Sequence, residues 1–280
     1  MTRRRVRVGL GVEMAGLSPS TISAEARETE VKGELHRMRI RFGKNEVPVE
    51  VFKQFVVDEF NVRLPGLDRS VRLRMHETDP EVFNQIWIRE EYDKDLPSEC
   101  KVIIDAGANV GYSVLWFKAR FPDARVIAIE PDPTNFACLL ENTAGLSDVT
   151  CLHGAIWSHE TELNLSYRGA TGHALKSWGV RTHAGEGGGS TKAFSISSIF
   201  GRYGLEEVDI LKMDIEGAEK EAFQESDMSW VSRVRCFAVE THERIKPGSK
   251  AAVFDVLDEE RFNRARKGEN FFFYAKNAAV

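Results

Sequence analysis

Acidic residues and one histidine stand at, or just beyond, the ends of short apolar runs in this chain. These residues are Asp105, Glu130, Asp214, Glu216, Glu240 and His242. Carboxylates at the ends of parallel strands can bind ribose hydroxyls or hold a cationic group of a ligand. A histidine or carboxylate beside them can take a proton from a hydroxyl nucleophile. The pattern therefore indicates a ligand-binding crevice with acid–base chemistry.

A glycine turn follows the first apolar run and reads Asp105-Ala-Gly-Ala-Asn-Val-Gly111. A dinucleotide-binding turn reads G-x-G-x-x-G, and its second glycine lets the backbone approach a pyrophosphate. Here Asn109 replaces that second glycine, and Asp105 would face the phosphates. Both features disfavour NAD and FAD. They favour a cofactor without phosphates that carries an amino group and a cationic centre.

Glu130 ends the second apolar run and follows Gly107 by about 20 residues, the separation at which an acid binds ribose hydroxyls. A ligand with a ribose, a cationic centre and no diphosphate fits S-adenosylmethionine. We therefore assign Asp105, Gly107 and Asn109 to the methionine end of this cofactor and Glu130 to its ribose.

The elements that position these residues alternate between strand and helix patterns from residue 101 to residue 276. Strands are predicted at 102–105, 125–130, 149–155, 161–167, 191–196, 208–215, 234–240 and 271–276. Helices are predicted at 112–120, 133–142, 199–203, 218–224 and 251–262. The alternation predicts an α/β fold with a parallel, doubly wound sheet that binds ligands at the carboxyl ends of its strands.

Two extensions are predicted before this domain, which we place at residues 100–280. Residues 1–34 show no clear pattern, and we expect them to be disordered. Residues 35–99 are predicted to be a small β-rich extension that ends in a helix, with Thr78 or Asp79 as its cap.

Residues 169–190 contain seven glycines, too many for a packed core. We predict a mobile loop or lid over the crevice. His173 and His183 lie in this segment and would enter the site on closure.

Three segments together resemble the FkbM-type family of class I methyltransferases. They are Asp105-Ala-Gly-Ala-Asn-Val-Gly111, Glu130-Pro-Asp-Pro-Thr-Asn-Phe136 and Leu211-Lys-Met-Asp-Ile-Glu-Gly-Ala-Glu219. The resemblance runs from about residue 70 to residue 242. It implies a Rossmann-like, mostly parallel seven-stranded sheet with an antiparallel final hairpin. It also implies S-adenosylmethionine as cofactor and O-methylation of a small molecule or glycan.

The resemblance also suggests where the rest of the cofactor lies. Ala155, Ile156 and Trp157 occupy the position at which related methyltransferases hold adenine, although Trp157 would also suit the core. Asn135 is placed near the cofactor, with capping of the second helix as the alternative.

Asp214, Glu216 and His242 are the candidate catalytic residues, and Asp214 is also a candidate for binding the cofactor. Asp214 and Glu216 end the fourth buried strand, and helix capping alone does not need so many acids in one turn. His242 follows the fifth strand and is the candidate general base, since a histidine pKa lies near working pH. Alternatively, these residues and Glu240 bind a hard divalent ion that lowers the pKa of the hydroxyl. The spacing does not decide between base and metal, and we assign no metal ligand.

Composition narrows the partners of the chain. The net charge of −5 gives no general attraction to nucleic acid or to an anionic membrane. Four cysteines without a C-x-x-C pair are expected to be reduced, and we expect a cytoplasmic protein. We expect a small-molecule or glycan acceptor, and a homo-oligomer is compatible with the sequence.

Two further hypotheses for the function are a nicotinamide-dependent oxidoreductase and a cofactor-binding module without turnover.

Overall fold

The structure is a computed structural model, and it describes ten stretches of the chain. These are residues 6–9, 23–26, 39–42, 45–48, 59–64, 66–74, 77–166, 181–183, 190–225 and 227–276. The chain divides into two compact units, residues 1–89 and 90–280. Among the described residues, no helix has the length and apolar character needed to cross a membrane.

The described residues of the first unit form strands and one short helix. The strands are β1 Val6–Gly9, β2 Ser23–Ala26, β3 Arg39–Phe42, β4 Asn45–Pro48, β5 Glu59–Arg63 and β6 Ser70–Arg74. An antiparallel sheet has the order β2-β1-β5-β6, and β3 pairs with β4 alone. Because β1 and β2 lie within residues 1–34, part of the segment predicted to be disordered is a sheet.

The helix of the first unit, α1, spans Asp79–Phe83 and continues as a π-helix over Asn84–Ile88. Thr78 is the N-cap residue, but its side chain makes no capping hydrogen bond. Asp79 does not cap either, since its carboxylate accepts hydrogen bonds from the backbone and guanidinium of Arg74. The prediction of a side-chain cap is therefore wrong, because the carboxylate of Asp79 forms an ion pair with Arg74 instead.

The second unit holds the main sheet and a smaller sheet. Their strands are β7 Val102–Ala106, β8 Arg125–Glu130, β9 Val149–His153, β10 Ala155–Ile156, β11 Thr161–Ser166, β12 Arg181–His183, β13 Ser190–Phe194, β14 Val208–Met213, β15 Val234–Glu240, β16 Phe262–Lys267 and β17 Asn270–Ala275. The main sheet has the order β16-β17-β15-β14-β7-β8-β9. The neighbours from β15 to β9 pair in parallel, and β16 and β17 are antiparallel. The predicted mostly parallel, seven-stranded sheet is confirmed.

Helices connect the strands of the second unit. They are α2 Tyr112–Arg120, α3 Pro133–Thr143, α4 Ile196–Tyr203, α5 Glu219–Ala222, a 3-10 helix at Ser229–Arg233 and α6 Ser249–Val256. The predicted helix at 251–262 is too long at its carboxyl end. Asp258 accepts the backbone N–H groups of Glu260 and Arg261 and so closes a turn. Phe262 then begins β16, and its ring packs edge-on against Phe237, with 5.5 Å between the centroids.

The smaller sheet has the order β10-β13-β11-β12. It divides the strand predicted at 149–155, because the main sheet ends at His153 and Ala155 pairs with β13 instead. Gly154 joins the two sheets, and a Cβ on it would lie 2.6 Å from the Phe194 ring. Most of residues 169–190 lie outside the described residues, so the lid and the role of His173 stay predictions.

The core of the second unit lies around β14, which is buried along its whole length. Ile104, Leu211 and Phe237 from neighbouring strands are fully buried in one apolar cluster. The strand also holds two charged residues, Asp209 near its start and Lys212, which is only 2% exposed. The packing of this lysine connects the core to the candidate site.

Candidate active site

The main sheet brings the predicted acids to one edge. Because β15, β14, β7 and β8 are parallel neighbours, their carboxyl ends lie side by side. Asp105 is near the end of β7 and Glu130 ends β8, while Asp214 follows β14 and Glu240 ends β15. The acids that are far apart in sequence therefore border one crevice.

The glycine turn at this edge has a backbone that only particular residues tolerate. Gly107 has φ +77°, and a Cβ on it would lie 1.8 Å from the backbone oxygen of Asp214. The N–H groups of Gly107 and Ala108 both donate to the carbonyl of Ile129, each at 2.9 Å. Asn109 also has a left-handed backbone, with φ +51°, a conformation that asparagine adopts more readily than most residues. The turn is thus packed against β8 on one side and Asp214 on the other.

Asp105 lies beneath this turn and is 0% exposed. Its Oδ1 atom is 3.0 Å from the ammonium of Lys212, an ion pair without the geometry of a hydrogen bond. Its Oδ2 atom accepts a hydrogen bond from the hydroxyl of Ser113. Lys212 and Ser113 thus engage the two oxygens of Asp105, and its predicted contact with a cofactor amino group stays a prediction.

Lys212 is a residue that the sequence reasoning did not select. It lies opposite Asp105 in the β14–β7 register, and its Nζ donates to the carbonyl oxygen of Gly107 at 2.5 Å. Burial opposes its charge, but Asp105, Asp214 and Glu130 outweigh that effect and raise the pKa of Lys212. The available signal was a lysine inside a mostly apolar strand of six residues.

Glu130 connects the glycine turn with the start of α3. Its two oxygens accept backbone N–H groups from Asn109 at 2.8 Å and from Asp132 at 2.9 Å. Burial raises the pKa of Glu130 to about 7 in spite of these hydrogen bonds. The carboxylate thus holds the turn in place, and its remaining lone pairs stay available for ligand hydroxyls.

Asn135 does not cap α3. Asp132 is the N-cap residue, and its carboxylate accepts the N–H groups of Thr134 and Asn135. Asn135 is 2% exposed, in the first turn of the helix that follows Glu130. Its predicted contact with a cofactor stays a prediction.

The residues predicted to hold adenine follow Gly154, whose N–H donates to the carbonyl of Glu130. Ala155 and Ile156 are buried, and Ile156 belongs to the main core. Trp157 packs in a smaller apolar cluster with Leu163. These three side chains contribute to the core, and adenine contact stays a prediction.

His242 lies among four carboxylates. Its Nδ1 atom is hydrogen-bonded to Glu219 at 2.8 Å. Its Nε2 atom is 3.5 Å from Glu240 Oε1, 3.6 Å from Glu216 Oε2 and 3.7 Å from Asp214 Oδ1. The structure therefore brings all three predicted catalytic residues together, with Glu240 as the fourth member of the group.

Glu219 holds the ring of His242 through the hydrogen bond to Nδ1. The sequence suggested Glu219 only as part of a capping box. It is 0% exposed, and its Oε1 accepts the N–H groups of Ile215 and Gly217. Its Oε2 accepts the hydroxyl of Ser249. Glu219 therefore closes the turn after β14 and orients the ring of His242 at the same time.

The charges of this group differ from the sequence expectation. Burial alone lowers the pKa of His242, but the hydrogen bond to Glu219 and the neighbouring acids outweigh burial and raise the pKa to about 10. Burial and the charge of Asp214 raise the pKa of Glu240. The prediction of a histidine pKa near working pH is therefore wrong, because four acids surround the ring.

Comparisons with known proteins identify the family of the chain and several similar proteins. Residues 105–265 match the family described as Methyltransferase FkbM domain. The methyltransferase sdnD of Sordaria araneosa is 29% identical over 216 residues, covering 66% of this chain and 82% of the relative. The AMB antimetabolite synthetase AmbE of Pseudomonas aeruginosa is 26% identical over 236 residues, covering 71% of this chain and 11% of the relative. Among solved structures, a Methanococcus jannaschii fibrillarin covers 98% of this chain and is itself covered to 94%, with 13% identity and a TM-score of 0.41.

Proposed function

The chain belongs to the methyltransferase FkbM family, and on that premise we propose that it transfers the methyl group of S-adenosylmethionine to a hydroxyl of a small molecule or glycan. The observation that carries this proposal is the position of the glycine turn. The turn lies between Glu130 on β8 and Asp214 after β14, so one crevice offers a ribose partner and catalytic carboxylates.

The residues at the turn fit this cofactor. Gly107 lets the turn pack directly against the backbone of Asp214, and Asn109 supplies a side chain where a diphosphate would need space. Glu130 is the residue that would hold the ribose hydroxyls. The turn backbone and Asn109 would hold the methionine end, with Asp105 and Lys212 supporting the turn from below. When bound, the cofactor supplies an activated methyl group on a sulfonium.

The protein's task in such a transfer is alignment, exclusion of water and removal of one proton. A bond forms between the acceptor oxygen and the methyl carbon while the carbon–sulfur bond breaks, and sulfur keeps the electron pair. The acceptor loses its hydroxyl proton to a carboxylate of the crevice, Asp214 or Glu216. Of these two acids Asp214 follows β14 directly, and its backbone N–H donates to the carbonyl of Ala106 beside the turn.

The proposal of a small-molecule acceptor draws on the description of a relative. One relative is described as an antimetabolite synthetase, which favours a small molecule. Family membership favours methyl transfer over the oxidoreductase hypothesis. A partner subunit and a cytoplasmic location stay predictions.

Calorimetry with S-adenosylmethionine and with NAD tests the cofactor. We expect the chain to bind S-adenosylmethionine and not NAD, and Glu130→Gln to weaken that binding about tenfold, by the loss of charge-assisted hydrogen bonds to the ribose. Glu207→Gln is the matched control, because Glu207 is exposed and precedes β14 at the opposite edge of the sheet. Binding of NAD without binding of S-adenosylmethionine would contradict the proposal.

The same titration should depend on pH. Because the folded chain raises the pKa of Glu130 to about 7, its carboxylate gains a proton as the pH falls through that value. We expect cofactor affinity to weaken between about pH 8 and pH 6, and Glu130→Gln to lack this dependence. Stability changes in the opposite sense: ionisation of Glu130 costs stability as the pH rises from about 4.5 to about 7, since the folded chain binds the proton more tightly. An equal pH dependence in Glu130→Gln would assign it to another group.

Turnover tests the catalytic residues. With an acceptor found by screening hydroxylated small molecules and glycans against methyl-labelled cofactor, Asp214→Asn and His242→Ala should lower kcat by about 100-fold or more. Cofactor affinity, measured by calorimetry, should stay nearly unchanged because neither side chain belongs to the turn. Wild-type kcat in His242→Ala would remove His242 from the mechanism.

A further inference from the structure

Asp214, Glu240 and His242 present three potential ligand atoms that all lie within 4.8 Å of one another. They stand at the carboxyl ends of two neighbouring parallel strands, β14 and β15. We infer that these three residues form a binding site for a divalent metal ion. This inference rests on the proposed function in one respect, since the ion would bind the hydroxyl of the methyl acceptor. Binding of the ion to the chain does not depend on methyl transfer.

The spacing around His242 is that of ligands rather than of hydrogen bonds. Its Nε2 atom lies 3.5 Å from Glu240 and 3.7 Å from Asp214, whereas an N–H···O bond to a carboxylate is about 2.7–2.9 Å long. Two atoms that each lie about 2.1 Å from one ion are about 3.0–3.4 Å apart at octahedral or tetrahedral angles. The two separations from Nε2 exceed this range by a few tenths of an ångström.

The histidine is also held as a metal ligand usually is. Its side chain is only 9% exposed, and Nδ1 makes the one hydrogen bond that its ring has among the described residues, to Glu219. Nε2 faces Asp214, Glu216 and Glu240 as an ion pair at 3.5–3.7 Å, and a bound metal ion would displace the proton from this nitrogen. Metal-binding histidines typically donate their other ring N–H to a carboxylate, which fixes the tautomer.

The orienting carboxylate is itself fixed. Glu219 accepts the N–H of Ile215 and the hydroxyl of Ser249, so that two different parts of the chain hold it. Its first hydrogen bond lies in the turn that immediately follows Asp214. The buried side chain of Glu219 thus connects the turn after Asp214 with His242, which follows β15.

The ligand atoms indicate the class of ion. One imidazole nitrogen with carboxylate oxygens suits a first-row divalent ion such as Mn²⁺ better than Ca²⁺, which prefers oxygen ligands throughout. Three protein ligands leave positions open for water or for an acceptor oxygen. An acceptor hydroxyl bound there would lose its proton more readily, with Glu216 beside the site as the group that takes it.

Electron paramagnetic resonance of Mn²⁺ tests the site in the full-length chain without cofactor or acceptor. We expect about one tightly bound Mn²⁺ per chain, and at least tenfold weaker binding in Glu240→Gln and in Asp214→Asn, since even loss of an orienting partner costs 10–100-fold. Glu207→Gln should bind like the wild type.

Thermal unfolding of each variant separates loss of a ligand from loss of the fold. Wild-type Mn²⁺ affinity in folded Glu240→Gln, or no Mn²⁺ binding by the wild type, would overturn the inference. Because the titration contains no S-adenosylmethionine, it can succeed when cofactor binding fails and fail when cofactor binding succeeds. The two proposals are therefore tested separately.

Discussion

Lys212→Met is expected to lower the free energy of unfolding by about 3–5 kcal/mol, which is the usual cost of removing one partner of a buried ion pair. Lys212 is 2% exposed and Asp105 is 0% exposed, so methionine would leave a carboxylate buried without its cation. The carbonyl of Gly107 would lose its hydrogen bond from the ammonium in the same step. Urea unfolding followed by tryptophan fluorescence measures the change.

A matched control is Lys246→Met. Lys246 also pairs with an acid, Glu221, but its side chain is 43% exposed, so we expect a loss of no more than about 1 kcal/mol. The double variant Lys212→Met, Asp105→Asn should recover part of the lost stability, because it also removes the buried charge. A loss below 1 kcal/mol in Lys212→Met would mean that Asp105 does not depend on this lysine.

Gly107→Ala is expected to abolish measurable binding of S-adenosylmethionine. The added Cβ would lie 1.8 Å from the backbone oxygen of Asp214, which no real contact allows, so the turn and the end of β14 must move apart. The left-handed backbone of Gly107 adds about 1–2 kcal/mol of strain for alanine. Calorimetry measures binding, and circular dichroism reports whether the fold survives.

Gly145→Ala is the control that separates backbone strain from the steric clash expected in Gly107→Ala. Gly145 has φ +76°, almost the same as Gly107, yet nothing lies within 4 Å of the position that its Cβ would take. This variant should lose about 1–2 kcal/mol of stability and keep its cofactor affinity. If Gly107→Ala binds the cofactor as well as Gly145→Ala does, then the turn is not the wall of the site that we propose.

Local patterns were enough for the parallel strands of the main sheet and for the edge at which the acids gather. Runs such as Val208–Met213 and Val234–Glu240 are strand-length and mostly apolar, and their alternation with helices leaves few topologies other than a parallel, doubly wound sheet. The same patterns gave a wrong prediction where tertiary packing determines whether a segment is a helix or a strand. Phe262 has the apolar character of a helix face, but its ring is placed by Phe237 in a β-hairpin.

The parallel strands and the acids at their ends can be read from the amino-acid sequence, because strand periodicity and chain order suffice for both. The contacts of those acids depend on the folded structure. Asp105 acquires a buried partner in Lys212, and His242 acquires Glu219 and three further carboxylates. Protonation and ligand geometry depend on distances between groups brought together from separate strands, and spacing along one chain does not contain them.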